Sequence, residues 1–338
     1  MHRPNSATRL ICALFALASL LVATELRADV TIRYKSEFHM QAIPGSNAQN
    51  FVVPPVSLIQ IKGNNAYSNL GAGASLVDSA TQQVTLLDAA HKLFATVLMK
   101  DYASELASSL PTMPNLPPAA QQILESMTAD FSSRKTGRTD MILGIQAEET
   151  EWTLSIALPL PPGLPLPPEM FPPGQPVKLV KMVIQVWSAA QEEIARVPAL
   201  TEWMAYSSSS SQLMNPFATL QQLAANLPGI GKSLAPALQQ LTEHKSALLK
   251  SHLEIYVPVL AQIAPLAQAQ GHPLPPEVDP NAPLAVADTL ATEISNAPVA
   301  DSVFHVPDDY HATTLAVLLK SMAPAPTTTA PLPTPSAR

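Results

Sequence analysis

Asp29–Met40 reads DVTIRYKSEFHM, and its alternation is clean. Val30, Ile32, Tyr34, Phe38 and Met40 fall on one side, and Thr31, Arg33, Lys35, Glu37 and His39 on the other. A period of two, apolar against polar, describes a half-buried antiparallel strand. Further short strand candidates follow at Val56–Lys62, Ala66–Leu70, Ser75–Asp78, Val84–Asp88 and Leu93–Met99. Turn residues separate them at Gly63-Asn64-Asn65, Gly71-Ala72-Gly73, Ser79–Gln83 and Ala89–Lys92. Strands this short at this spacing predict a meander or a barrel.

A helical passage follows, with helix-forming composition over Asp101–Leu110 and Pro118–Met127. Strands resume at Thr139–Glu149, Trp152–Leu158 and Val177–Trp187. Between the last two, residues 159–176 hold nine prolines in 18 positions, an extended loop that cannot donate to a ladder. Val197–Tyr206 reads as a short helix and Ser207–Ser211 as a linker. Leucines at three- and four-residue spacing from Leu213 to Leu248 predict two amphipathic helices. Period two returns over Leu249–Val257, residues 273–283 are proline-rich, and Thr313–Met322 reads as a last helix. Residues 320–338 form a Pro/Thr-rich tail, disordered by composition.

The whole chain of 338 residues is 47% hydrophobic, enough to bury a sizeable core and too apolar for disorder throughout. Its net charge of −7 argues against a nucleic-acid binder, which presents a basic face. Arg3 and Arg9 precede a 14-residue apolar run, Leu10–Ala23, and a small residue stands at Ala28. That is the layout of a secretory signal peptide over residues 1–28, too short to span a bilayer. Cleavage after Ala28 would leave a soluble periplasmic or secreted chain, and would remove Cys12 along with Arg3, Arg9, Arg27 and Glu25. The net charge becomes −9, and no thiol remains for a disulfide, a thiolate nucleophile or a thiolate metal site.

The chemistry-bearing motifs are weak. Asn226–Ser233, NLPGIGKS, ends like a phosphate-binding loop, but the first glycine of that pattern is Asn226 here and no strand precedes it. His305, Asp308, Asp309 and His311 lie within seven residues, but Pro307 interrupts them and two aspartates at a turn are ordinary turn chemistry. Glu148, Glu149 and Glu151 mix both faces of a strand, which leaves a catalytic carboxylate pair unsupported. His91-Lys92 and His244-Lys245 read as exposed positions, and the chain has no Gly-x-Ser-x-Gly elbow. The expectation is a non-enzyme with no catalytic residue, no metal site and no cofactor. The Pro-x-x-Pro registers of 159–176 read as a stiff spacer rather than a module ligand.

Several segments in order carry a resemblance: DVTIRYKSEF, IQIKGNNAYSNL, ASLVDSATQQVTLLDAAHKLFATV, TGRTDMILGIQAEETEWTLSI, VIQVWSAA and ISNAPVADSVFHVPDDY. The chain resembles an uncharacterised family of bacterial envelope proteins related to the LolA/LppX lipoprotein-carrier superfamily, whose finishing pattern corresponds to Phe304, Pro307 and Tyr310. The resemblance covers about residues 29–206 and 245–312. It implies an α+β fold: an open, unclosed antiparallel β-barrel covered by helices, one domain over 29–319, holding acyl chains in its cavity without catalytic residues. The chain departs from that pattern by the proline-rich loop and by a helical insertion at 207–249, and a further helical insertion is expected at 101–127. The expected ligand-facing residues are Val30, Ile32, Tyr34, Phe38 and Met40, with Ile59, Ile61, Trp152, Leu154 and Ile156. The expected partner is a lipid or other hydrophobic ligand. The alternative is a structural or protein-interaction module of the envelope with no small ligand, bound to an envelope protein; nucleic acid is not expected.

Overall fold

A computed structural model describes residues 29–41, 55–69, 73–109, 122–160 except 124, 171–209 except 173, 247–271, 274–275 and 278–322. The signal-peptide segment 1–28, the phosphate-loop-like stretch 226–233, most of the insertion 207–249 and most of the tail lie outside the described residues.

The first half is a meander: β1 (Val30–Met40), β2 (Val56–Lys62), β3 (Asn65–Asn69), β4 (Ala74–Asp78), β5 (Gln83–Asp88) and β6 (Leu93–Leu98). Each strand pairs antiparallel with the next. Its turns explain the pattern. The β2–β3 loop is two residues, with Gly63 in the left-handed region at φ 58°. The β4–β5 and β5–β6 turns repeat one design ten residues apart. Asp78 and Asp88 each accept backbone N–H bonds from the two and three positions after them, and Gln82 and Lys92 close the turns at φ 56° and 55°. An aspartate that caps its own turn supplies the backbone with partners the ladder cannot offer.

Helix α1 (Met99–Ser109) follows, then long strands: β7 (Thr128–Ile142), β8 (Ile145–Leu158) and β9 (Val177–Ala189). Helices α2 (Gln191–Arg196) and α3 (Pro198–Ser209) lead to β10 (Leu248–Tyr256), α4 (Pro258–Ala269) and β11 (Ala285–Ser295). A 3₁₀ turn at Asp301–Phe304, the two-residue strand β12 (His311–Ala312) and α5 (Leu315–Met322) complete the described chain.

All the described strands join one sheet in the order β12-β6-β5-β4-β3-β2-β1-β11-β10-β9-β8-β7. This overturns the expected helix-covered open barrel. The chain forms a single wide, unclosed sheet, mixed because β12 runs parallel to β6. Closure needs two edges of matching length and stagger, and here a two-residue strand at one edge faces a 15-residue strand at the other. Among the described residues the helices are few and short and cover patches. Helix α1 and α5 pack together on β5 and β6, α3 packs on β1 and β11, and α4 on β9. The expected helical insertion 101–127 takes in α1 from its third residue, and the expected one at 207–249 gives way to β10 at Leu248. The serine run does not begin as a linker, since Ser207–Ser209 end α3.

The core cluster centres on Val30, Ile32, Leu200, Leu249 and Leu318, each at most 1% exposed, with Ile61, Val77, Val84 and Ala95 continuing it across β2 to β6. Asp88, itself 1% exposed, ties the cluster's edge together: Ser321 Oγ on α5 donates to its Oδ2 at 2.7 Å and His91 Nδ1 meets the same oxygen at 2.7 Å. Burial pushes its carboxyl up, but the Ser321 and His91 bonds outweigh burial and hold it below the usual carboxylate range. A folded-state pKa below the unfolded value means the stabilisation is complete above the unfolded pKa of about 4 and is lost as pH falls through the lower folded value. Ser321→Ala should therefore lower the thermal midpoint at pH 7 and flatten the acid limb of a stability-against-pH curve. An unchanged acid limb would disprove the linkage.

Candidate functional site

Cross-strand neighbours point to the same side of a sheet, so the pairing register decides which expected ligand-facing residues meet. Val30 opposes Ile61 and Ile32 opposes Ile59. On the other flank of β1, Phe38 continues through Ala287, Leu253 and Ile184 to Trp152. One step on, Met40 continues through Ala285, Ile255 and Met182 to Leu154. Ile156 follows beside Val180, and Tyr34 lies between the sealed and open parts, opposite Ser57 and Ala291. All ten residues thus share one face, with Ile59 and Trp152 on opposite flanks of β1.

That face changes character along β1. Val30, Ile32, Ile59 and Ile61 are sealed in the core. Tyr34 is buried too, and its hydroxyl donates to the Leu248 carbonyl at 2.9 Å while burial pushes its pKa up. Phe38, Leu253, Ile255, Met182 and Ile184 are half-buried, and Met40 is 36% exposed. Trp152, Leu154 and Ile156 are buried again, Trp152 packing with Val186, Phe131 and Ile184. The face is therefore an apolar surface with a partly open centre.

The opposite face is a charged lattice. One row runs Glu37, Asp288, His252, Gln185, Glu151, Arg134 across six strands. His252 Nδ1 meets Asp288 Oδ1 at 2.8 Å and its Nε2 lies 3.4 Å from Glu254 Oε1. Burial lowers the His252 pKa, but the Asp288 and Glu254 bonds outweigh it and leave it raised. The pair's stabilisation is then full below the unfolded pKa of about 6.5 and declines as pH rises through the higher folded value. His252→Gln should remove that decline, read as a smaller loss of thermal midpoint between pH 6 and pH 8 than in the unchanged protein. In the next row Lys250 lies 4.4 Å from the centroid of the Trp187 ring, and its Nζ reaches Asp140 at 3.0 Å. Beside it, the buried Glu149 carboxylate accepts from Arg138.

The residues considered for catalysis and metal binding are placed apart. Glu149 and Glu151 point to the charged face, each against a guanidinium, while Glu148 points away from them toward Lys135. Among the described residues no group of three or more His, Cys, Asp or Glu side chains is placed to hold a metal. His305, Asp309 and His311 go to separate partners: the Asp301 carbonyl, Lys92 and the β6 edge. The sequence reading missed the contact of Ser321, His91 and Asp88. It is no relay, because the hydroxyl donates to the carboxylate and not to the imidazole.

No protein-family model and no curated protein matches this chain. Among the described residues no helix is long and apolar enough to cross a membrane.

Proposed function

We propose that the protein is a non-catalytic binder of an acyl chain or similarly apolar ligand, exported to the periplasm or beyond. One observation carries the reading: ten apolar residues from three strands share a sheet face whose centre, around Phe38 and Met40, is only partly covered. An apolar surface left half-open beside sealed core is where an apolar ligand gains the most from leaving water. The resemblance to the lipoprotein-carrier superfamily supports the same ligand class, although the ligand would here lie along a broad sheet. The signal-peptide layout of residues 1–28 supports export. Amino-terminal sequencing of exported protein should begin near Asp29, and recovery of intact Met1 from the cytoplasm would overturn that part.

The binding test is native mass spectrometry of protein isolated from its producing cells. The protein should carry a lipid mass, and Phe38→Asp should lose it while unfolding cooperatively. A ligand-free protein, or a Phe38→Asp variant that retains the lipid, would count against the reading. A second reading, a protein-interaction module, draws on the β7–β8 hairpin tip. Met141 and Leu143 are 64% and 50% exposed there, and Leu143 holds φ 54° in a two-residue turn that favours asparagine or glycine. A protein partner lost in Leu143→Asn, with no lipid on the isolated protein, would favour that module.

A further inference from the structure

The charged side of the first meander carries a cavity of about 510 Å³, distinct from the apolar face. Its floor is the outward side of β3, β4 and β5, where Asn65, Asp78 and Gln83 are direct cross-strand neighbours and Leu76 opposes Thr85 in the adjoining row. Its wall is the segment Asp301–Val306, which β3 contacts through the 3₁₀ turn. The volume is that of a small-molecule site.

The lining has a definite chemistry. Asp78 is held ionised by the Thr81 hydroxyl and by the Ala80 and Thr81 amides. Asp301 is held ionised by Lys62, whose Nζ lies 2.7 Å from Oδ1 and also donates to the Val299 carbonyl. His305 Nδ1 faces the Asp301 carbonyl at 2.9 Å, and a carbonyl only accepts, so Nδ1 donates there and Nε2 is left to meet a ligand. Carboxamides from Asn65 and Gln83 supply both donors and acceptors, and Phe304 supplies a ring. Two carboxylates exclude an anion. The lysine among the described residues that lies against them, Lys62, is already engaged by Asp301. Acceptor-rich groups, carboxamides and one aromatic ring match a ligand with many hydroxyl donors and an apolar C–H face.

We propose that this cavity binds a neutral saccharide, its hydroxyls on Asp78, Gln83, Asn65 and His305 and its ring against Phe304. The site is independent of the apolar face and of its ligand.

The test is isothermal titration calorimetry of the purified protein with cellobiose, maltose and N,N′-diacetylchitobiose, and with glucose 6-phosphate as the anionic counterpart. At least one neutral saccharide should bind, and glucose 6-phosphate should bind at least tenfold more weakly. Gln83→Ala and Phe304→Ala should each weaken the saccharide tenfold or more while Phe38→Asp leaves it unchanged. Gln83 is exposed at the start of β5, so that variant keeps the test decisive if Phe304→Ala fails to fold. No heat from any neutral saccharide, equal or tighter binding of the phosphate, or unaltered binding in a folded Gln83→Ala variant would overturn the proposal.

Discussion

Replacing Arg138 with methionine should destabilise the fold by about 3 kcal/mol or more, while Arg138→Met combined with Glu149→Met should restore most of the loss. The reason is an imbalance in how the two groups sit. The Glu149 side chain is fully enclosed, whereas that of Arg138 is 58% exposed. Oε1 of the carboxylate accepts from Arg138, and Oε2 has no hydrogen-bond partner among the described residues. The attraction of an ion pair with one arm in water is modest. The large cost arises when the guanidinium is removed and a carboxylate stays behind in apolar surroundings next to Trp187 and Ala147. Removing both charges abolishes that penalty, and methionine fills the space. Urea unfolding of the two variants, with slopes compared as well as midpoints, measures both terms. A single-variant loss under about 1 kcal/mol would mean that water reaches Glu149.

Ile32→Asp should abolish folding, whereas Met40→Asp, eight residues along the same strand and on the same face, should cost under about 1 kcal/mol. Ile32 is 1% exposed and opposes Ile59 and Ile294, so a carboxylate there has no water and no partner. Met40 is 36% exposed beside Ala285, and a carboxylate there stays hydrated. Circular dichroism and thermal melts of the two variants decide the point. Equal losses would mean that the face is sealed along its whole length, and the apolar-ligand reading would lose its support.

The short meander was legible because its alternation and its turns agree: Gly63-Asn64 and the two aspartate-capped turns stand where the breaks were read. β7 was read only from Thr139 onward, since TADFSSRKTGR carries few apolar residues; it is an edge strand whose register shifts between Lys135 and Thr139. The sequence divides this region into Thr139–Glu149 and Trp152–Leu158. The chain instead turns at Leu143-Gly144, where leucine gives no turn signal. β11, AVADTLATEIS, escaped notice because alanine and threonine make a weak alternation, and its burial comes from neighbours on both sides. α4 was hidden by Pro258 and Pro265, the first standing at its start, where proline is tolerated. For the candidate site, local alternation gives the inward residues of each strand separately. That β1 carries both flanks of the apolar face depends on strand order, which no local pattern encodes.

Strand order also dictates a timetable. β1 through β6 zip up between sequence neighbours, and so do the β7–β8–β9 hairpins; among the described strands the joint of longest range in the middle of the sheet is β1 against β11, where Arg33 meets Glu293 across 260 residues. Local pairing closes small loops and is fast, while a joint of that span must wait for the chain between its ends. A ribosome delivers β1 first and β11 near the end, so one side of β1 stays an unpaired template, with Phe38 and Met40 uncovered, for most of synthesis. The flank most in need of a guardian during that wait is the one bearing the half-open apolar centre, and slow refolding of the purified chain should be accompanied by aggregation that a peptide spanning Ala285–Ser295 suppresses.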